Sequence, residues 1–499
     1  MKDQKATHIR SSYRGIFKAT SLFGGVQFYQ ILINVVKSKF IAMLLGPLGV
    51  GIQGLYQSAL HFIQSITAMG LSSSAVRNVS EANASGDMNR VSEVVGALRK
   101  LVWWTGLLGL IAVSISSPML SKTSFGDNKH IIPFICLSVT LLLDQICAGQ
   151  RVVLQGMRQL KDLAKASLIG AAASLFISVP LYYFYGIKGI VPTLILNSVT
   201  LLIVSWYYAK KIPLLPVEIG IFEVFREGKG MLKMGLAMSW SGILVNGSAY
   251  LLRWFIRKET GTEAVGLYTA GFTIINTYVG MIFTAIGTDY YPRLSEVNSN
   301  NEKMSTIVNQ QGEISVLILA PLLLLCIIFM PLVIRLLYTE QFLGSNGFIR
   351  IAAVGMMFKL CSWLIAFQFI AKGESRLFVI NETVANVYFL VLNLVGYKLL
   401  GLDGLGYAFT ISYLLYFIQV FVIAKNRYGF GLTKAFARLL LVQLILVSLC
   451  FGATVFHWQV LTYLIGAVLI LCSSFFSLKE LNKLLDLKSS IISKLNRNR

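Results

Sequence analysis

Two lysines stand inside the first long apolar run of the sequence, Lys37-Ser-Lys39-Phe-Ile-Ala-Met-Leu-Leu-Gly46-Pro47-Leu-Gly49-Val-Gly51. An ammonium group in hydrocarbon costs about 2.5–3.5 kcal/mol at a helix centre on insertion scales, so such a lysine is usually retained for function. The chemistry it offers is capture of an anion, for example a phosphate oxygen. The competing reading is that both lysines lie near enough to the helix end to snorkel to the interface. Further intramembrane charges tip the balance toward function: Arg253, Asp144 and Lys359 all fall inside apolar runs. Polar residues accompany them: Gln27, Gln30 and Asn34; Gln53, Gln57, His61 and Gln64; Asn246; and Asn276. Gln53, Gln57 and Gln64 recur at helical spacing and can share one face. The set predicts a wet, cation-lined cavity whose guest is an anion with hydrogen-bonding groups. Lys37, Lys39 and Arg253 are its candidate charges, and Gln30, Asn34, Gln57 and Asn246 its candidate ligands for hydroxyls. Asp144 and Lys359 are candidates for ion coupling, or alternatively for a structural ion pair. His61 reads as a polar helix contact.

The elements that position these residues follow from composition. The chain has 499 residues, 56% hydrophobic and 13% charged, with a mean hydropathy of +0.69. Ordinary globular domains carry about 25% charged residues. Apolar runs of about 20 residues, each long enough to cross a bilayer as a helix, recur along the whole length. An all-α polytopic membrane protein is predicted, with fourteen spans near 19–45, 52–76, 98–117, 131–150, 166–186, 190–209, 233–256, 265–290, 312–337, 347–371, 377–400, 404–424, 437–456 and 459–478. The connections are short, and the longest, 210–233, is too small for a domain, which leaves no extramembrane catalytic module. The six cysteines lie in or beside apolar runs without metal-ligand spacing and read as core residues. No metal, no cofactor and no cleavable signal peptide is expected.

Basic residues sort the spans into a topology. If the N-terminus is cytoplasmic, the inner segments hold Lys2, Lys5, Arg10, Arg14 and Lys18, then Arg77, Arg90, Arg99 and Lys100, then Arg151, Arg158, Lys161 and Lys165, and so on to a tail with Lys488, Lys494, Arg497 and Arg499. The outer loops hold far fewer. The positive-inside rule then places both termini in the cytoplasm. The net charge of +22 orients the protein and holds its inner face to anionic lipid. It requires no nucleic acid.

An internal repeat organises the spans. Gly186-Ile-Lys-Gly189-Ile190 is echoed by Gly401-Leu-Asp-Gly404-Leu405, and Ala209-Lys210 by Ala424-Lys425, in both cases 215 residues on (401 − 186, 424 − 209). The same offset lays Gly46 on Gly261, Val50-Gly51 on Val265-Gly266, and Asp144 on Lys359, and it sets Arg253 against Ser38 between the two lysines. Two lobes of six spans, 1–210 and 211–425, are predicted, followed by two extra helices and a basic tail in 426–499. Six is even, so the lobes share one orientation. A two-lobed membrane repeat points to a transporter with its substrate between the lobes.

The stretch Lys39-Phe-Ile-Ala-Met-Leu-Leu-Gly46-Pro47-Leu-Gly49-Val-Gly51, with Gly70, Arg77 and Glu81-Ala-Asn-Ala-Ser-Gly86-Asp87, resembles the first two spans of Wzx-type O-antigen flippases. Ala249-Tyr250-Leu-Leu-Arg253, Leu154-Gln-Gly156-Met-Arg158 and the Gly-x-x-Gly starts of spans 6 and 12 are similar to the same family. The likeness covers residues 15–425 and marks the polysaccharide transporter branch of the multidrug/oligosaccharidyl-lipid/polysaccharide exporter superfamily. It implies a flippase, not an enzyme, moving an undecaprenyl-pyrophosphate-linked oligosaccharide across a bacterial inner membrane. Lys39 and Arg253 take the family's cationic cavity positions. The pathway's polymerase and chain-length proteins are candidate partners besides membrane lipids. Spans 13 and 14 depart from the twelve-span pattern and resemble the extra pair of lipid II flippases. Two alternatives stand beside this reading: a drug/cation antiporter, which would want more cavity acids than Asp144, and a polymerase or glycosyltransferase, which would want an extramembrane catalytic loop.

Overall fold

A computed structural model of the chain describes residues 2–217, 220–455 and 459–485. Only the backbone is described for Lys2, Lys5, Arg10, Arg14, Lys18, Gln27, Arg226 and Lys233, and Lys488, Lys494, Arg497 and Arg499 lie outside the described residues. The helices are α1 (Lys2–Thr67), α2 (Leu71–Ala84), α3 (Met88–Phe125), α4 (Ile131–Gly156), α5 (Leu160–Tyr185), α6 (Ile190–Ala209), α7 (Ile221–Thr260), α8 (Thr262–Thr273), α9 (Met281–Glu296), α10 (Asn301–Leu337), α11 (Asn346–Ala371), α12 (Ser375–Tyr428), α13 (Lys434–Val455) and α14 (Gln459–Leu485). Strands are absent among the described residues. In hydrocarbon each backbone group must be satisfied within its own segment, and helices do this at every residue.

Ten helical stretches are long and apolar enough to cross a membrane. Three of them, Tyr29–Thr67, Leu160–Ala209 and Ser375–Tyr428, each hold two of the predicted spans, and α7 accommodates the remaining one. The breaks inside them are made by glycine: Gly46 (φ 61°, ψ −172°) in α1 and Gly401 (φ 60°, ψ −137°) in α12.

The 215-residue repeat is written in the backbone. Gly186 has φ 52° and ψ −133°, matching its partner Gly401. A side chain in this left-handed region costs roughly 1–2 kcal/mol, which explains glycine at both corners. Three residues on, Gly189 and Gly404 let the returning helix touch the one before: a Cβ would lie 2.6 Å from the carbonyl oxygen of Leu181 and 1.8 Å from that of Gly396. Leu181 and Gly396 are themselves repeat partners. The ends of α4 and α11 also agree. Gln159 N–H donates to the Leu154 carbonyl at 2.8 Å and Glu374 N–H to that of Phe369 at 3.0 Å, a six-to-one helix stop with Arg158 (φ 55°) and Gly373 (φ 71°) in the left-handed position.

By packing, the chain forms two compact units, Met1–Gly266 and Leu267–Arg499. In the first, α1 packs on α3, α5 and α7, and α4 lies against α2, α3 and α6. Its core gathers Leu71, Ala75 and Val79 of α2, Val94, Leu98 and Leu101 of α3, Val152–Leu154 of α4, Tyr208 of α6 and Met231 of α7. The packing division therefore falls after α7, whereas the repeat boundary at 210 falls before it. Gly51 and Gly266 seat α1 on the start of α8: a Cβ at Gly51 would lie 2.1 Å from the Thr262 carbonyl oxygen, and one at Gly266 1.9 Å from that of Pro47.

In the second unit α11 packs on α12 and α10, and α10 carries α13 and α14. Pro331 inside α10 has no N–H to give the carbonyl four residues back. Arg350 of α11 supplies the missing donor, Nε to the Ile327 oxygen at 2.9 Å. The extra pair of helices is tied by Gln443 of α13, which donates to Ser477 Oγ at 2.9 Å and accepts from Ser473 Oγ at 2.7 Å, both on α14.

Candidate functional site

Gln30, Asn34 and Lys37 are spaced four and three residues apart on α1 and so share one face. Asn34 is exposed, and Gln30 and Lys37 are half-buried. Lys37 Nζ donates to Ser174 Oγ of α5 at 2.6 Å. This hydroxyl partner, unlike a carboxylate, leaves the positive charge uncompensated by an anion. Lys39 is also half-buried, but it sits two residues on, about 200° round the helix. Both lysines lie in α1, yet they address different sides of it. Gln57, half-buried, lies beyond the Gly46 break.

On α7, Asn246, Tyr250, Arg253 and Arg257 follow at steps of four, three and four, which aligns them on one stripe. Tyr250 is buried; its hydroxyl bonds Thr123 Oγ1 at 2.6 Å and Ser124 Oγ at 3.1 Å at the end of α3, and its ring stacks on Phe62 of α1. Arg257 Nη2 donates to the Thr123 carbonyl at 3.4 Å. These contacts fix the rotation of α7 and hence where the half-buried Asn246 and Arg253 stand. Arg253 Nη1 donates to the Ala249 carbonyl at 3.1 Å, which draws the guanidinium back along its own helix. Neither Arg257 nor Ser174 is among the candidate residues read from the sequence, and Tyr250 enters there only within the Ala249–Arg253 stretch. The four-three-four spacing from Asn246 was the available signal for Tyr250 and Arg257.

Asp144 of α4 is half-buried. Its carboxylate is hydrogen-bonded by Ser198 of α6, with His61 of α1 close enough to feel its charge. The neighbouring Gln145 donates to Thr105 Oγ1 at 3.1 Å. In the second unit, Lys359 of α11 donates to Asn276 Oδ1 at 2.5 Å. Asn276 lies on a π-helical turn, Ile274–Val279. The Lys359 ammonium also stands over the rings of Phe283, Phe409 and Tyr413, 5.2–5.7 Å from their centres. Asp144 and Lys359 thus each find their hydrogen-bond partner within their own unit, and the partner of Lys359 is an amide. Grouped residues with metal-ligand character are absent among the described residues.

Residues 40–346 match the polysaccharide biosynthesis protein family. The chain belongs to that family. Residues 259–476 also match the lipid II flippase MurJ family. A curated relative, stage V sporulation protein B of Bacillus subtilis (strain 168), is 21% identical over 366 residues, 64% of this chain and 66% of that protein. The chain thus spans just under two thirds of that relative. Among solved structures, an inward-facing multidrug resistance MATE transporter of the MOP superfamily superposes with a TM-score of 0.68 at 17% identity, over 80% of this chain and 94% of its own. The lipid II flippase MurJ in an inward closed conformation gives a TM-score of 0.68 at 15% identity, over 93% and 99%. The fold of this family member is that of the MOP-superfamily transporters, a multi-pass membrane architecture, and the two solved structures named here are a transporter and a flippase.

Proposed function

We propose that the protein is a flippase carrying an undecaprenyl-pyrophosphate-linked oligosaccharide, an O-antigen unit, from the cytoplasmic to the periplasmic leaflet of a bacterial inner membrane by alternating access. The observation that carries this reading is a pair of half-buried cations, Lys37 and Arg253, on two helices, α1 and α7, that pack together. A pyrophosphate brings about two negative charges; a guanidinium can chelate its oxygens as a fork, and an ammonium adds a point charge. Gln30 and Asn34, on the Lys37 face, suit sugar hydroxyls, as do Gln57 and Asn246. Lys39 adds a second α1 cation on another side of the helix. The lipid tail stays in the bilayer. Asp144 and Lys359 are the candidate ion-coupling groups. Both termini are cytoplasmic, which leaves the polymerase and chain-length proteins to act on the product at the other face.

A second reading has its own support: the match of residues 259–476 to the lipid II flippase MurJ family favours a lipid-linked peptidoglycan precursor. Both cargoes present the same pyrophosphate. Complementation distinguishes them, according to whether the gene restores surface polysaccharide to an O-antigen flippase-null strain or viability to a lipid II flippase-depleted one. In the rescued strain, Arg253→Ala abolishes export at normal membrane level, and Arg253→Lys recovers part of it. Lys39→Arg is tolerated better than Lys39→Ala. Full export by the Lys37→Ala/Arg253→Ala double variant would place the anion site elsewhere.

A further inference from the structure

The second unit holds a partly buried polar cluster around Glu382 of α12. Within α12, Glu382 lies before the Gly401 break and Tyr416 after it, so a bond between them ties the two halves of the hairpin. Tyr416 donates its hydroxyl to Glu382 Oε1 at 2.5 Å. The Tyr416 oxygen accepts from Asn381 Nδ2 at 3.1 Å, and Asn381 Oδ1 accepts from Gln419 Nε2 at 2.8 Å. Asn381 is 2% exposed and Glu382 half-buried. The hydroxyl of Tyr388, one turn and a half on, is buried without a hydrogen-bond partner among the described residues.

The repeat supplies the control. Subtracting 215 places Asn381, Glu382, Tyr416 and Gln419 on Ala166, Ser167, Leu201 and Val204. The first repeat closes the same hairpin with small and apolar side chains, so the fold does not need this cluster. Burying a carboxylate is costly unless something repays it. No lysine or arginine forms an ion pair with Glu382 among the described residues. The charged and titratable groups near it are the phenols of Tyr388, Tyr413 and Tyr416 on α12. From α11, Lys359 stands against the ring of Tyr413.

We propose that Glu382 and Tyr416 form a proton-binding site of the second unit, in which a proton taken up on the free carboxylate oxygen neutralises Glu382 and loosens the bond between the two halves of α12. The proton adds to Oε2, Oε1 keeps the phenol, and the cluster's net charge falls from −1 to zero. A metal cation fits worse, because a single carboxylate facing a phenol donor lacks the six or more oxygens that a hard cation gathers.

The test uses the full-length protein in lipid nanodiscs and infrared difference spectra across a pH titration. The expected result is a carboxylic-acid band that titrates in the wild type, is lost in Glu382→Gln, persists in Asp144→Asn and changes its midpoint in Tyr416→Phe. If Glu382→Gln does not fold, Tyr416→Phe decides alone: a moved midpoint supports the site and an unmoved one overturns it. A band retained in folded Glu382→Gln overturns the proposal. So does a band that responds to exchanging potassium for sodium at constant pH, since that describes a metal site. The readout is proton binding rather than transport, so it stands or falls apart from the flippase reading.

Discussion

Three residues of the first unit, His61, Asp144 and Ser198, have their repeat partners in Asn276, Lys359 and Tyr413 of the second; each pair differs by 215. Both sets are assembled around the central residue: Ser198 and His61 act on the Asp144 carboxylate, while Asn276 and the Tyr413 ring receive the Lys359 ammonium. One scaffold position therefore carries opposite charges in its two copies. Duplication fixes where the charge stands, and the two neighbours decide its sign. A hydroxyl donor serves an anion, whereas an amide oxygen and ring faces serve a cation. The difference is also one of chemistry. A carboxylate held by a hydroxyl and an ammonium held by an amide oxygen and ring faces are different chemistry at one scaffold position.

The comparison breaks most visibly at Lys359. Lys359→Glu puts an anion against three ring faces and against the Asn276 oxygen, and should destabilise the protein by roughly 3–5 kcal/mol, the scale for an uncompensated buried charge. Loss of membrane-inserted protein, measured by immunoblot of washed membranes, is the expected outcome; normal accumulation and activity would show that the cage does not select charge. Next comes the shared hairpin corner. Gly404→Ala, whose Cβ would sit 1.8 Å from a carbonyl oxygen, should cost more than Gly189→Ala, where the distance is 2.6 Å. Overpacking of this kind costs roughly 1–3 kcal/mol, so thermal unfolding in nanodiscs should rank Gly404→Ala below Gly189→Ala, and equal midpoints would mean the two corners relax alike. The smallest effect on stability is expected from Asp144→Asn, which keeps the shape and the Ser198 donor. It should lie within about 1 kcal/mol of the wild type while flattening the pH dependence of export in the complementation assay. Export by Asp144→Asn with an unchanged pH profile would remove Asp144 as the proposed ion-coupling group.

Much of the architecture was legible because the repeat is spelled in glycine. Gly186-x-x-Gly189 and Gly401-x-x-Gly404 advertise corners that only a residue without a side chain can turn, and the matching helix stops at Arg158 and Gly373 obey the same offset. The candidate site was less legible. Lys37 and Lys39 look like one cationic patch in the sequence, but two residues of helix turn them to different sides. The partner of Lys359 depends on a π-helical turn that brings Asn276 into place, which apolar periodicity does not reveal. Glu382 and Asn381 sit near the start of a span, where polar residues pass for interfacial ones. Aligning them on Ala166 and Ser167 was the signal that could have exposed them.

The contact between Gly51 and Gly266 is made of peptide groups alone: Pro47 and Thr262 lend carbonyl oxygens, and no side chain intervenes. Such a joint is indifferent to what the surrounding residues become, since neither surface carries anything that substitution elsewhere can reshape. Its vulnerability is concentrated at two positions, where a single added methyl group would wedge the helices apart. Residues elsewhere on the two helices are thereby left free to diversify without loosening the seam.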